Sequence, residues 1–122
     1  MKQELITRCI NVEDGERLQK IMDLSIQVHG ELNSLYDMVF AFIECGKVHQ
    51  ARKLVETPGL RAFNGKLDQK CRWLRDAGKV EELANLVSVT KEIFDVDRNM
   101  MYSHLLQAYG KKCSLMYYTV KP

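Results

Sequence analysis

Six cations crowd one stretch of this chain: Arg61, Lys66, Lys70, Arg72, Arg75 and Lys79. Spacings of three and four, as in Arg72 with Arg75 and Lys66 with Lys70, set some of them on neighbouring turns of a helix. Phosphate contact by such a cluster supplies affinity without sequence choice. The ordinary alternative is a solvated face that keeps the protein soluble. The charge distribution sharpens the first reading. Residues 1–46 carry 4 basic and 8 acidic side chains, residues 47–79 carry 9 and 3, and residues 80–122 carry 5 and 5. The net charge of +2 therefore hides a strongly basic middle.

Catalytic and metal chemistry find little footing. His29, His49 and His104 are singletons with no carboxylate at triad or ligand spacing, and His104 is expected on a solvated helix flank. Gly30 and Gly59 are isolated turn residues, not a phosphate loop. The acids from Glu13 to Glu16 suit a helix start, where the dipole favours negative charge. Cys9, Cys45, Cys71 and Cys113 are scattered widely along the chain and form no Cys-x-x-Cys. They are expected as reduced thiols rather than zinc ligands or disulfides. Trp73 and the Tyr117-Tyr118 pair are expected as packing or exposed tail. No enzyme, cofactor, metal or small-molecule substrate is expected.

At 122 residues the chain can bury a real core. Its 46% hydrophobic and 28% charged composition, with two Pro, excludes disordered and collagen-like classes. No apolar run approaches a membrane span, and no membrane association is expected. Met1-Lys2-Gln3-Glu4 has neither a secretory nor a transit pattern, so no targeting segment is expected in this chain.

The elements that must carry the cations are helices. Apolar residues recur at helical spacing almost throughout, in seven stripes: Leu5 to Ile10, Leu18 to Ser25, Leu35 to Ile43, Val48 to Val55, Leu67 to Leu74, Val80 to Phe94, and Met101 to Tyr109. Asp97 can cap the seventh, and Thr57-Pro58-Gly59 ends the fourth. Gly46-Lys47-Val48 returns as Gly78-Lys79-Val80, and Leu54-Val55 and Leu86-Val87 follow them at the same offset. Asp14-Gly15-Glu16 precedes Gly46 by nearly the same interval and also opens a helix. Helix pairs at such a period predict an all-α chain, an α-solenoid of helix-turn-helix repeats with turns near Gly15, Gly46 and Gly78. A plain antiparallel bundle is the alternative.

Tyr102-Ser103-His104-Leu105-Leu106-Gln107-Ala108-Tyr109 closely resembles the first helix of a pentatricopeptide repeat. Tyr36-Asp37-Met38-Val39-Phe40 fits the same pattern, and Leu67-Asp68 stands at its start in the unit between. Gly78 then corresponds to Cys113, one unit of this family further along. The run from Glu56 to Ala62, with Asp97 to Tyr102, resembles the leucine-rich mitochondrial branch of that family in animals. Residues 1–110 are expected to hold about three and a half degenerate repeats. The likeness lapses from Lys111, and residues 111–122 are expected to be a divergent tail packing poorly.

The resemblance implies RNA binding, in the service of mitochondrial messenger RNA stability, polyadenylation and translation. It implies the mitochondrial matrix, with the nucleus as a second compartment, and a small stem-loop-binding partner of the RNA-recognition-motif kind. In this family two side chains per unit face one base of a single-stranded RNA. Carried over, they are Asp37 with Phe63, Asp68 with Arg98, and Ser103 in the next unit. Neither complete pair matches a familiar base-reading combination. Phe63 can stack on a base or sit in the core, and Asp68 and Arg98 can simply pair with each other. The competing function class is a non-catalytic scaffold whose helices dock a partner protein.

Overall fold

The computed structural model describes Arg8 and residues 10–120, with side chains as far as Lys111. Among the described residues every regular element is helical, and there is no strand. The chain divides into two compact units, Met1–Arg61 and Ala62–Pro122.

In the first unit, helical residues Arg8, Ile10 and Asn11 lead through a turn into α1 (Gly15–His29), α2 (Glu31–Glu44) and α3 (Val48–Val55). The expected stripe from Leu5 to Ile10 falls mostly outside the described residues. Asp14 caps α1, its carboxylate accepting from the Arg17 N–H at 3.1 Å. α2 packs against both α1 and α3. Ile10, Ile21, Met38 and Ala41 form a buried cluster, with Leu18, Met22, Phe42, Cys45 and Leu54 against it. The Ser25 and Ser34 hydroxyls, both buried, satisfy each other at 2.8 Å.

The second unit holds α4 (Asn64–Asp76), α5 (Val80–Thr90) and α6 (Arg98–Val120), each packed on the other two. Asn64 ties the start of α4 to the loop between α5 and α6. Its amide donates to the Asp95 carbonyl at 3.1 Å and accepts from the Asp97 N–H at 2.8 Å. Asp97 caps α6 as expected, accepting from the Met100 N–H at 3.0 Å. α5 stops at Thr90, short of the expected Phe94. Asp95 takes a φ of 62°, which turns the chain so that Ile93 and Val96 are buried and Phe94 is thrown outward.

The repeated tripeptide makes the same turn twice. In the first, the Lys47 N–H reaches the Phe42 carbonyl at 2.8 Å and the Gly46 N–H the Ile43 carbonyl at 3.1 Å. In the second, Lys79 reaches Leu74 at 2.9 Å and Gly78 reaches Arg75 at 3.1 Å. Gly46 and Gly78 have φ of 77° and 74°, the left-handed conformation that ends a helix this way. At the earlier turn the left-handed residue is Glu13, φ 56°, and Gly15 lies inside the helix that follows.

Thr57-Pro58-Gly59-Leu60 closes a tight turn, the Leu60 N–H reaching the Thr57 carbonyl at 3.2 Å. Pro58 and Gly59, φ 75°, fit the central positions of a type II turn. The Tyr36 hydroxyl donates to the Arg61 carbonyl at 2.7 Å, pinning the last residue of the first unit.

Equivalent stripes have opposite fates. Tyr36, Phe40 and Ile43 on α2 are buried, as are Leu67, Cys71 and Leu74 on α4. The corresponding Tyr102, Leu106 and Tyr109 on α6 are 45%, 74% and 47% exposed. α6 instead buries Met101, His104 and Ala108. It runs without a break past Gly110 to Val120, through most of the expected tail, whose side chains beyond Lys111 lie outside the described residues.

Candidate nucleic-acid interface

α4 is the platform. Leu67, Cys71 and Leu74 recur at helical spacing, are fully buried, and fix its orientation. The remaining arc carries the charge. Lys66, Lys70, Arg72 and Arg75 all lie on this helix, and Lys79 stands just before the next, without a side-chain cap bond.

A hydrogen-bonded chain joins α4 to α6. His104 Nε2 meets Asp68 Oδ1 at 2.7 Å, and His104 Nδ1 meets Arg75 Nη1 at 3.0 Å. A guanidinium only donates, so Nδ1 accepts, and Nε2 carries the proton and donates to Asp68. Arg75 Nη1 also donates to Gln107 Oε1 at 3.1 Å, and the Gln107 amide donates to the Ser103 hydroxyl at 3.2 Å. Arg72 closes the other carboxylate oxygen of Asp68 at 3.1 Å. The His104 hydrogen bond holds the Asp68 carboxyl below its ordinary range. Burial opposes that shift, while the charges of Arg72 and Arg75 assist it.

This overturns two sequence expectations. His104 is 7% exposed, not solvated, and it has a carboxylate partner. The partner lies about one repeat length away along the chain, so no local spacing could show it. The period itself is the usable signal, because it aligns Asp68 with Ser103, the neighbour of His104. Asp68 also does not pair with Arg98, whose guanidinium donates to the Lys91 carbonyl.

The other expected site residues are dispersed. Asp37 is half-buried on α2, and Ser103 is exposed on α6. Phe63 is half-buried at the N-cap of α4, whose end it leaves without a side-chain cap. Arg61 is exposed in the first unit, and its backbone takes the Tyr36 hydroxyl. Of the cations on α4, Arg72 keeps a 58% exposed side chain, but Arg75 is only 21% exposed and serves the network. Lys70 and Lys79 bring their ammonium groups to 4.4 and 5.1 Å from the ring centre of Trp73. Trp73 is 49% exposed, so it is neither core nor tail.

Cys71 is fully buried, and burial with the charge of Asp68 pushes its thiol up to about 12. Neither Cys71 nor Cys45 is in a disulfide, while Cys9 and Cys113 lie outside the described side chains. Among the described residues no group of His, Cys, Asp and Glu is arranged to hold a metal ion, and no helix is long and apolar enough to cross a membrane.

No family model matches the chain, and no solved structure does. Three curated relatives match most of it. The "Leucine-rich PPR motif-containing protein, mitochondrial" of Xenopus tropicalis is 41% identical over 104 residues, 85% of this chain. The proteins of the same name from Mus musculus and Rattus norvegicus are 42% and 41% identical over 103 residues, 83% of the chain. The matched stretch is 8% of the frog protein and 7% of each rodent protein. Over more than four-fifths of its length, then, the chain resembles a segment of the mitochondrial leucine-rich PPR motif-containing protein.

Proposed function

We propose that this chain is part of an RNA-binding helical-repeat protein, its units stacking as an α-solenoid along a single-stranded RNA. The observation that carries this reading is the likeness to relatives named for their PPR motifs. The twice-made glycine turn supports repetition, since the same tripeptide gives the same backbone at Gly46 and again at Gly78. The basic arc of α4 supports backbone contact, with Lys66, Lys70 and Arg72 meeting phosphates. Asp37, Asp68 and Ser103 are the base-facing positions, with Phe63 and Arg98 as their partners. Because Asp68 is held by His104 and Arg72, affinity comes mainly from charge rather than base choice. Mitochondrial messenger RNA is the substrate, its stability, polyadenylation and translation are the processes served, and a stem-loop-binding protein is the partner.

Binding of single-stranded RNA by the chain, followed over a salt series, tests this. Changing Lys66, Lys70 and Arg72 together to Ala is expected to weaken all sequences alike. It should flatten the dependence of log affinity on log salt by about two, at about 0.7 per lost contact. Arg75 is left in place because it holds the helices together. A second reading, a scaffold that docks a protein helix, is favoured by the bared stripe of Tyr102, Leu106 and Tyr109. Absence of RNA binding even at low salt would favour that reading.

A further inference from the structure

Trp73 is the one tryptophan of the chain, and it lies outside the buried stripe of its helix. The buried stripe of α4 is complete with Leu67, Cys71 and Leu74, and Trp73 lies off it with 49% of its surface in water. Two ammonium groups lie over its ring, Lys70 at 4.4 Å and Lys79 at 5.1 Å. Each is drawn by the negative face of the indole, yet the two repel each other. The result is an aromatic plane flanked by concentrated positive charge. A ligand that suits both features carries a flat ring and an anion a few ångströms apart. A nucleotide of a single strand has that make-up, whereas in a duplex the base faces are already stacked.

We propose that Trp73 stacks on one base of a single-stranded RNA, while Lys70 and Lys79 take the flanking phosphates. The proposal rests on the RNA-binding reading above and assigns to it a contact that the repeat pattern does not mark. An incoming base displaces an ammonium from the ring face. The lysine stem is long enough to carry that ammonium to the neighbouring phosphate, so the attraction is exchanged rather than lost. Stacking tolerates any base, and the site therefore adds affinity without reading sequence.

The lone indole is also the probe. The chain is titrated with end-labelled dodecamers of adenosine, of uridine and of abasic ribose phosphate. Label anisotropy reports binding, and tryptophan emission reports stacking. Quenching that tracks anisotropy for the two base-bearing strands, and is absent for the abasic strand, is expected. Trp73→Ala should weaken the adenosine strand about tenfold at unchanged salt slope. Trp73→Phe should recover most of that loss. Lys70→Ala and Lys79→Ala should each lower the slope by about 0.7 while the bound state still quenches. Circular dichroism of each variant checks that the helices persist. Binding by anisotropy with unchanged emission, and a Trp73→Ala affinity equal to wild type, would overturn the stacking site and leave the RNA reading standing. No binding of any strand at low salt would overturn the RNA reading and this site with it.

Discussion

At the scale of single residues, the second unit is organised around buried groups whose chemistry is set by neighbours. Cys71 is the clearest case. Its thiol, raised from an ordinary 9.0 to about 12, stays protonated where an exposed thiol ionises. Iodoacetamide at mildly alkaline pH should therefore label the half-buried Cys45 and spare Cys71 until the protein unfolds, which peptide mass spectrometry can follow. The sign of the linked stability effect is fixed by the raised value. Below 9.0 both folded and unfolded thiols are neutral, and the contribution of Cys71 is intact. Above it the unfolded chain releases a proton that the folded chain keeps, so stability falls as pH climbs towards 12. Melting curves between pH 8 and 11 should show that decline, and Cys71→Ala should make it shallower. None of this is visible in the spacing of four cysteines, which excludes a zinc motif but does not report burial.

At the scale of elements, the sequence is legible wherever a helix ends on its own chemistry. Gly46, Gly78, Asp97 and the Thr57-Pro58-Gly59 run all act at their expected places because each stop depends on residues within one turn. An added Cβ at Gly46 or Gly78 would meet nothing within 4 Å, so the cost of a side chain there is backbone strain alone. Gly46→Ala and Gly78→Ala should each lose about 1 kcal/mol in urea unfolding. Loss at one and not the other would break the equivalence of the two turns. Legibility fails where partners are distant. Glu13 adopts a left-handed turn without glycine, and α5 ends before Phe94, since loop packing outweighs the helical pattern. The stripe of α6 reads like those of α2 and α4, yet lies open to solvent. Leu67→Ala and Leu74→Ala should cost about 2–4 kcal/mol each. Leu106→Ser, at a position equivalent to a buried one, should change stability by no more than about 0.5 kcal/mol. Comparable losses at Leu74 and Leu106 would contradict the exposed placement of α6's stripe.

At the scale of the whole molecule, a net charge of only +2 conceals an acidic beginning, a basic middle and a neutral end. That polarity is readable by counting. How many of the cations are available is not, because Arg75 looks like Arg72 in sequence and differs through His104, Gln107 and its ion pair with Asp76. Affinity for single strands should therefore be modest and strongly salt-dependent, with a slope set by Lys66, Lys70, Arg72 and Lys79. Measured slopes for wild type and for Arg75→Gln, which removes the charge, should agree if Arg75 makes no phosphate contact. A fall of about 0.7 for Arg75→Gln would return it to the interface.

The bond between His104 and Asp68 has a consequence for anyone wishing to rewrite such a chain. Asp68 lies on α4 and His104 on α6, and Arg75 and Gln107 carry the link on to Ser103. An edit at Asp68 unseats His104, and through it loosens the guanidinium that steadies Gln107. Substitutions inside one network do not add. Asp68 and Ser103, proposed above to face separate bases, are thus joined through one network, and a change at either has to be designed together with the other.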